Sequence, residues 1–378
     1  MKFKKIILTS AAFVATVPTV AIAAACGPTE KPQGNKFNIL SDQGVFSNLW
    51  NSVSAERDAM ALSQYRSAMK QFDALVDSQK NVFELDKAKI DPKTSKLTVS
   101  NTSENKSIPV VFMDIDETIL DNFGYQHWLV ANNASFSPET WNEFVQDKVS
   151  KKIPGAFEFI DHVYKKGGIV MFNSNREQKN QLIPTRENLI KEGLNKAYLP
   201  DWVFWMQGVD LNTDKPWANI KEDENGKRIK SHKEERMNLV NSKKWNLSVN
   251  GQDFGDAVSL KTVMRIGDNF DDFNDIRSAN QTNEQRKDIV NKELGKLFGN
   301  FDSNVKGIKY TKDAQGNAIK SEESWAEGYV QIGGNASYGG WVSGLAAGFN
   351  GFTNDKKLKT VEDLTNALKW TPSQQKNS

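Results

Sequence analysis

Val110-Val111-Phe112-Met113 is an apolar run without polar alternation, and it stops at Asp114-Ile115-Asp116-Glu117-Thr118. That pattern suits a strand buried on both faces, as in a parallel α/β sheet covered by helices. In such sheets the ligand site lies beyond the carboxyl ends of the strands. Residues i and i+2 of an extended chain point the same way, so Asp114 and Asp116 are expected to emerge there together. Crowded carboxylates repel unless a cation or a shared proton relieves them. Their oxygens are hard ligands of the kind Mg²⁺ prefers, and the chain offers little for a softer metal. It has one cysteine, and its three histidines, His127, His162 and His232, show no paired ligand spacing.

The first residues follow different rules. Lys2, Lys4 and Lys5 precede an apolar stretch from Ile6 to Ala25, which reads as a signal peptide over residues 1–25. Ala23-Ala24-Ala25 before Cys26 resembles the lipobox of bacterial lipoproteins, with Ala23 where leucine is commoner. Cys26 is then expected to carry lipid and to hold the protein on the extracytoplasmic face of the cell membrane. The alternatives are a plain signal peptide with an incidental cysteine, or an uncleaved anchor helix. Residues 26–40, polar and carrying Pro28 and Pro32, read as a tether. A folded domain is expected over 41–365 and a polar tail over 366–378.

At 378 residues, 38% hydrophobic and 25% charged, the chain can bury a sizeable core. Its formal charge is +2, and loss of the three leader lysines brings the balance slightly below zero. Nucleic-acid binding by bulk charge is therefore disfavoured.

Between Val45 and Asp91 glycine and proline are absent, and apolar residues from Phe46 to Leu75 recur at helical spacing, predicting one or two amphipathic helices. After Asp116 an aromatic-rich stretch, with Tyr125, Trp128, Trp141 and Phe144, reads as a helical insert covering the site. Phe157 to Lys166 predicts a helix ended by Gly167-Gly168. Ile169 to Phe172 predicts a second buried strand, ending in Asn173-Ser174-Asn175-Arg176. A hydroxyl and an amide at a strand end feeding a helix are good donors to phosphate oxygens, although alone they also suit a helix cap. Val203 to Met206 predicts a third strand. Lys261 to Ile266 leads into Gly267-Asp268-Asn269-Phe270-Asp271-Asp272, a further strand-end acidic pair at Asp268 and Asp272 that lacks the calcium-loop pattern. Asn280 to Ser324 is charged and reads as a peripheral excursion. Gly333 to Phe352, glycine- and aromatic-rich around Tyr338-Gly339-Gly340-Trp341, reads as a close-packed loop near the site.

Asp114-x-Asp116-x-Thr118 resembles the signature of the haloacid dehalogenase (HAD) superfamily, and Gly267-Asp268-x-x-x-Asp272 its acidic fourth motif. With Ser174-Asn175-Arg176, Tyr338-Gly-Gly-Trp341 and the stretch from Trp50 to Glu56, the chain is similar to the class C acid phosphatases, surface lipoproteins that act on nucleoside monophosphates and other phosphomonoesters. The resemblance implies a HAD-like, Rossmannoid α/β fold: a parallel sheet flanked by helices, with a smaller helical cap region. It implies that Asp114 is the nucleophile and forms an aspartyl-phosphate, and that Asp116 protonates the leaving oxygen and later activates water. It implies that Mg²⁺ is held by the Asp114 side chain, the Asp116 backbone carbonyl and the Asp268 side chain, with Asp272 in support. Ser174, Asn175 and a lysine would bind phosphate. Ser231-x-Lys233-x-x-Arg236 resembles the family pattern and selects Lys233, with Lys230 as runner-up. Tyr338 and Trp341 either stack on a nucleobase or aromatic leaving group or simply pack the loop. Two features depart from the family: a longer stretch between Lys233 and Asp268, and Val342 where glutamate often follows the tryptophan.

The expected activity is thus that of a membrane-anchored, Mg²⁺-dependent phosphomonoesterase, acting on nucleoside monophosphates for nucleoside salvage. The alternative is a surface ligand-binding lipoprotein that keeps the fold with little turnover. Intact Asp114, Asp116 and Asp268 argue against it. A glycosyltransferase reading of Asp114-x-Asp116 is disfavoured by the downstream Ser174 and Asp268 motifs.

Overall fold

The computed structural model describes residues 39–91, 97–100, 103–249, 252–253 and 257–370. The expected signal peptide, Cys26, most of the tether and the last eight residues lie outside them. Among the described residues no helix is long and apolar enough to cross a membrane.

Four parallel strands form the centre: β1 (Ile108–Met113), β2 (Ile169–Phe172), β3 (Val258–Gly267) and, last in the chain, β6 (Gly328–Gln331), in the spatial order β6-β3-β1-β2. Every residue of β1 is buried, as its unbroken apolar run requires. Register sets the function. Met113 lies between Phe172 and Ile266, and the N–H groups of Asp114 and Asn173 donate to Ile266 and Met113 carbonyls at 2.9 and 2.8 Å. Three strands therefore end level, and the residues that follow them share one edge of the sheet. Lys244–Trp245 adds a short antiparallel pairing at the start of β3.

Helices α1 (Ile39–Val53) and α2 (Ala55–Ser78) precede the sheet, as the spacing predicts. Ser54 caps α2 by accepting from the Arg57 N–H at 3.1 Å. The α2 face bearing Ala61, Tyr65, Ala68, Phe72 and Leu75 is buried against α5 (Ala156–Lys165), β3 and β6. The aromatic insert forms α3 (Phe123–Ala131) and α4 (Pro138–Asp147), where Tyr125 collects the rings of Trp128, Phe136, Trp141 and Phe144 within 6.3 Å. Helix α6 (Gln178–Lys191) follows β2. Helices α7 (Lys233–Ser242) and α8 (Asp271–Ser278) pack on each other and on β3.

Two expectations need correction. Val203 to Met206 is no strand: Asp201–Val203 is a 3-10 turn, and Phe204 makes a single bridge to Phe172. Its apolarity serves a cluster in which Trp205 meets Trp217 and Trp245. The stretch from Asn280 to Ser324 is only partly peripheral. It holds α9 (Asn283–Ile289) and a hairpin of β4 (Lys306–Lys312) and β5 (Ala318–Ala326). Ile289, Leu294, Leu297, Ile308 and Tyr310 build a second apolar cluster there with Phe273 and Tyr329.

Candidate active site

Asp114 leaves β1, Asp268 leaves β3, and Asp272 stands in the first turn of α8. One carboxylate oxygen from each falls within 4.8 Å of the others. Gly267 permits the approach, because a Cβ there would stand 2.2 Å from Asp272 Oδ2. Lys233, only 3% exposed, donates from Nζ to Asp114 Oδ1 at 2.6 Å and to Asp272 Oδ1 at 2.7 Å. Lys230 is exposed, so of the two lysines weighed from the sequence the fold brings Lys233 to the carboxylates.

Burial pushes the Asp114 carboxyl up to about 7 against the pull of Lys233. Asp268 is raised well above the carboxylate range, by burial and then by the charges of Asp272 and Asp114. Burial alone would lower the Lys233 ammonium, but Asp114 and Asp272 outweigh it and hold its pKa up. With all three carboxylates ionised against one ammonium, two negative charges would be in excess in this site, which is costly unless a cation compensates them. The donor set is all hard oxygen, so charge and chemistry both fit a divalent cation such as Mg²⁺.

Each group is held from behind. Asp268 accepts from Asn335 Nδ2 at 2.9 Å and from the Thr118 hydroxyl at 3.4 Å, and the Thr118 carbonyl accepts from the Tyr65 hydroxyl at 2.6 Å. Asp275 accepts from the N–H groups of Lys233 and Glu234 at 2.7 and 3.0 Å, closing the amino end of α7 and setting the base of the Lys233 side chain. Glu234, fully buried, accepts from Arg265 at 3.2 Å and from Asn274 at 2.5 Å, and Arg265 also pairs with Glu327. These supports escape sequence reading, since nothing in the local pattern of Asp275, Arg265 or Glu327 names a distant partner.

Ser174 is buried, and its Oγ accepts from the Arg176 N–H at 3.1 Å. Its own O–H donates to no described residue. Asn175 is exposed, and its Oδ1 accepts from Gln207 at 3.0 Å, which leaves the Nδ2 amide without an acceptor among the described residues. Asp116 accepts at Oδ1 from Arg176 Nε and from Asn122 Nδ2, each at 2.8 Å. Tyr338 and Trp341 line a cavity of about 690 Å³ that reaches Asp268, with Phe270, Phe298 and Lys287 also in its wall. Asp272 accepts from Lys233 Nζ and stands among the clustered carboxylates.

A family model described as HAD superfamily, subfamily IIIB (Acid phosphatase), matches residues 48–295, more than half of the chain. Two solved structures share the fold: the class C acid phosphatase from Bacillus anthracis, and the same enzyme with tungstate bound. Each is 20% identical, with a TM-score of 0.58, over 88% of this chain and 99% of the other.

Proposed function

The chain belongs to subfamily IIIB of the HAD superfamily, the acid phosphatases, which makes it a phosphomonoesterase, and we propose that it hydrolyses nucleoside monophosphates by way of an aspartyl-phosphate on Asp114. The observation that carries this reading is the Lys233 ammonium held at 2.6 Å from Asp114 and 2.7 Å from Asp272. A cation there can share its donors between a nucleophilic carboxylate and an entering phosphate.

In the first half-reaction an Asp114 oxygen forms a bond to phosphorus, the bond from phosphorus to the leaving oxygen breaks, and the electron pair leaves with that oxygen. Asp116 supplies its proton. In the second, Asp116 takes a proton from water while the water oxygen attacks phosphorus and releases Asp114. Lys233, the Ser174 hydroxyl and the Asn175 amide hold the phosphate oxygens. Asp114, Asp268 and the Asp116 backbone carbonyl would hold Mg²⁺, with Asp272 beside them. The bound ion supplies positive charge that lets an anionic nucleophile meet an anionic phosphate.

The leaving group fits the cavity of about 690 Å³, which lies in the range of small-molecule sites. Tyr338 and Trp341 offer flat π-faces to a base. Lipidation of Cys26 would keep the enzyme outside the cell membrane, where freed nucleosides are available for uptake. That part rests on the sequence before residue 39.

Phosphate release from nucleoside monophosphates, nicotinamide mononucleotide and an aryl phosphate, with and without Mg²⁺, tests the reading alongside Asp114→Asn. Metal-dependent turnover abolished in the variant is the expected result, with nucleotides ahead of alkyl phosphates. Folded protein that binds Mg²⁺ but turns over none of them would sink it and favour a ligand-binding lipoprotein. Mass analysis of the mature amino terminus checks for lipid on Cys26.

A further inference from the structure

The Asp116 carboxylate is gripped unevenly. Arg176, 2% exposed, donates from Nε to Asp116 Oδ1 at 2.8 Å, and its Nη2 lies 2.8 Å from the same oxygen. Asn122 donates to that oxygen as well, from Nδ2 at 2.8 Å. The clamp is itself fixed. Arg176 donates to Thr185 Oγ1 at 2.9 Å and to Asn122 Oδ1 at 3.0 Å, and Ser150 donates to Asn122 Oδ1 at 2.6 Å. The Trp141 ring of α4 covers the guanidinium, 5.5 Å from its carbon. Asp116 Oδ2 takes no hydrogen bond from any described residue.

This asymmetry decides where a proton can reside. The Arg176 guanidinium and the Asn122 amide N–H face Oδ1, so a hydrogen on that oxygen would point into donors. On Oδ2 it meets none. We infer that Arg176 is a positioning residue for proton transfer, pinning Asp116 Oδ1 together with Asn122 so that Oδ2 alone carries the proton to the leaving oxygen. The inference rests on the proposed acid role of Asp116. In the step concerned, the bond from phosphorus to the leaving oxygen breaks with its electron pair on oxygen, and the Oδ2–H bond breaks as that oxygen takes the proton. The carboxylate left behind is stabilised by the Arg176 charge.

A proton donor matters only when the leaving oxygen needs one. The value of kcat/KM covers the steps up to departure of the leaving group, so it isolates this transfer from the later attack of water. The test compares kcat/KM on an alkyl phosphate, a phenyl phosphate and 2,4-dinitrophenyl phosphate for the wild type, Arg176→Met, Arg176→Lys, Asn122→Ala and Asp116→Asn. Arg176→Met is expected to lose about a hundredfold on the alkyl ester, within the usual reach of general acid catalysis, and only about threefold on the dinitrophenyl ester. Asn122→Ala should follow the same gradient less steeply, and Asp116→Asn more steeply. Should Arg176→Met fail to fold, Arg176→Lys and Asn122→Ala carry the comparison. An equal loss on all three esters in the Arg176 and Asn122 variants, with Asp116→Asn still graded, would overturn the inference. A flat series in Asp116→Asn would overturn the acid role itself, and the inference with it.

Discussion

Lys233 Nζ stands 2.6 Å from Asp114 Oδ1, a contact made across 119 positions of sequence by two side chains that are both buried. Such a pair is tolerated in a core only when each charge has a partner. Here the ammonium has two carboxylates, Asp114 and Asp272, and a third, Asp268, close by.

Replacing Lys233 by methionine removes the ammonium and keeps much of the volume. Activity is expected to fall about 10² to 10³-fold in kcat, the usual cost of losing one preorganised charge at a transferring group. Steady-state kinetics on an aryl phosphate reads this directly. A loss below tenfold would show that Lys233 serves the fold more than the chemistry.

Divalent cation should stabilise the folded protein through the same carboxylates. A ligand that binds only the native state adds about 2.7 kcal/mol at a hundred times its dissociation constant. Thermal unfolding with increasing Mg²⁺ is therefore expected to shift upward in the wild type and to stay flat in Asp268→Asn. An equal shift in both would place the cation elsewhere.

The contact between His232 and Asp275 predicts a window of pH stability. The hydrogen bond to Asp275 raises the His232 pKa, with burial opposing it. Its contribution is complete below the ordinary histidine value of about 6.5 and fades as pH rises through the raised folded value. Burial alone would raise Asp275, but the His232 bond and the N–H groups of Glu234 and Lys233 outweigh it and hold its pKa low. Its contribution is complete above about pH 4 and fades as pH falls through the lowered value. Denaturant unfolding from pH 3 to pH 9 should show both flanks for the wild type, and Asp275→Asn should flatten them. Unchanged flanks in the variant would contradict the assignment.

The features of the fold that the sequence discloses are those written in consecutive residues. Ile108–Met113 is legible because a strand buried on both faces needs an unbroken apolar run. Val203 to Met206 has the same composition and misleads, since its apolar side chains serve a tryptophan cluster and no ladder forms. The stretch after Asn280 misleads the other way: Ile308 and Tyr310 alternate with polar residues, so average composition hides a buried face. In the site, Asp114, Asp268 and Lys233 carry local motifs. Arg176, Asn122 and Asp275 act through partners 60, 6 and 42 positions away, and only the packed chain tells which partner each one has.

In the proposed mechanism phosphorus is transferred to Asp114 before it meets water. The most direct test of this transfer is the stereochemical course at phosphorus, followed with a phosphorothioate monoester made chiral by oxygen isotopes and hydrolysed in isotopically labelled water. Two successive in-line displacements, first by Asp114 and then by water, give overall retention of configuration, which is the predicted result. Inversion would mean that water attacks the substrate directly and that no aspartyl-phosphate forms.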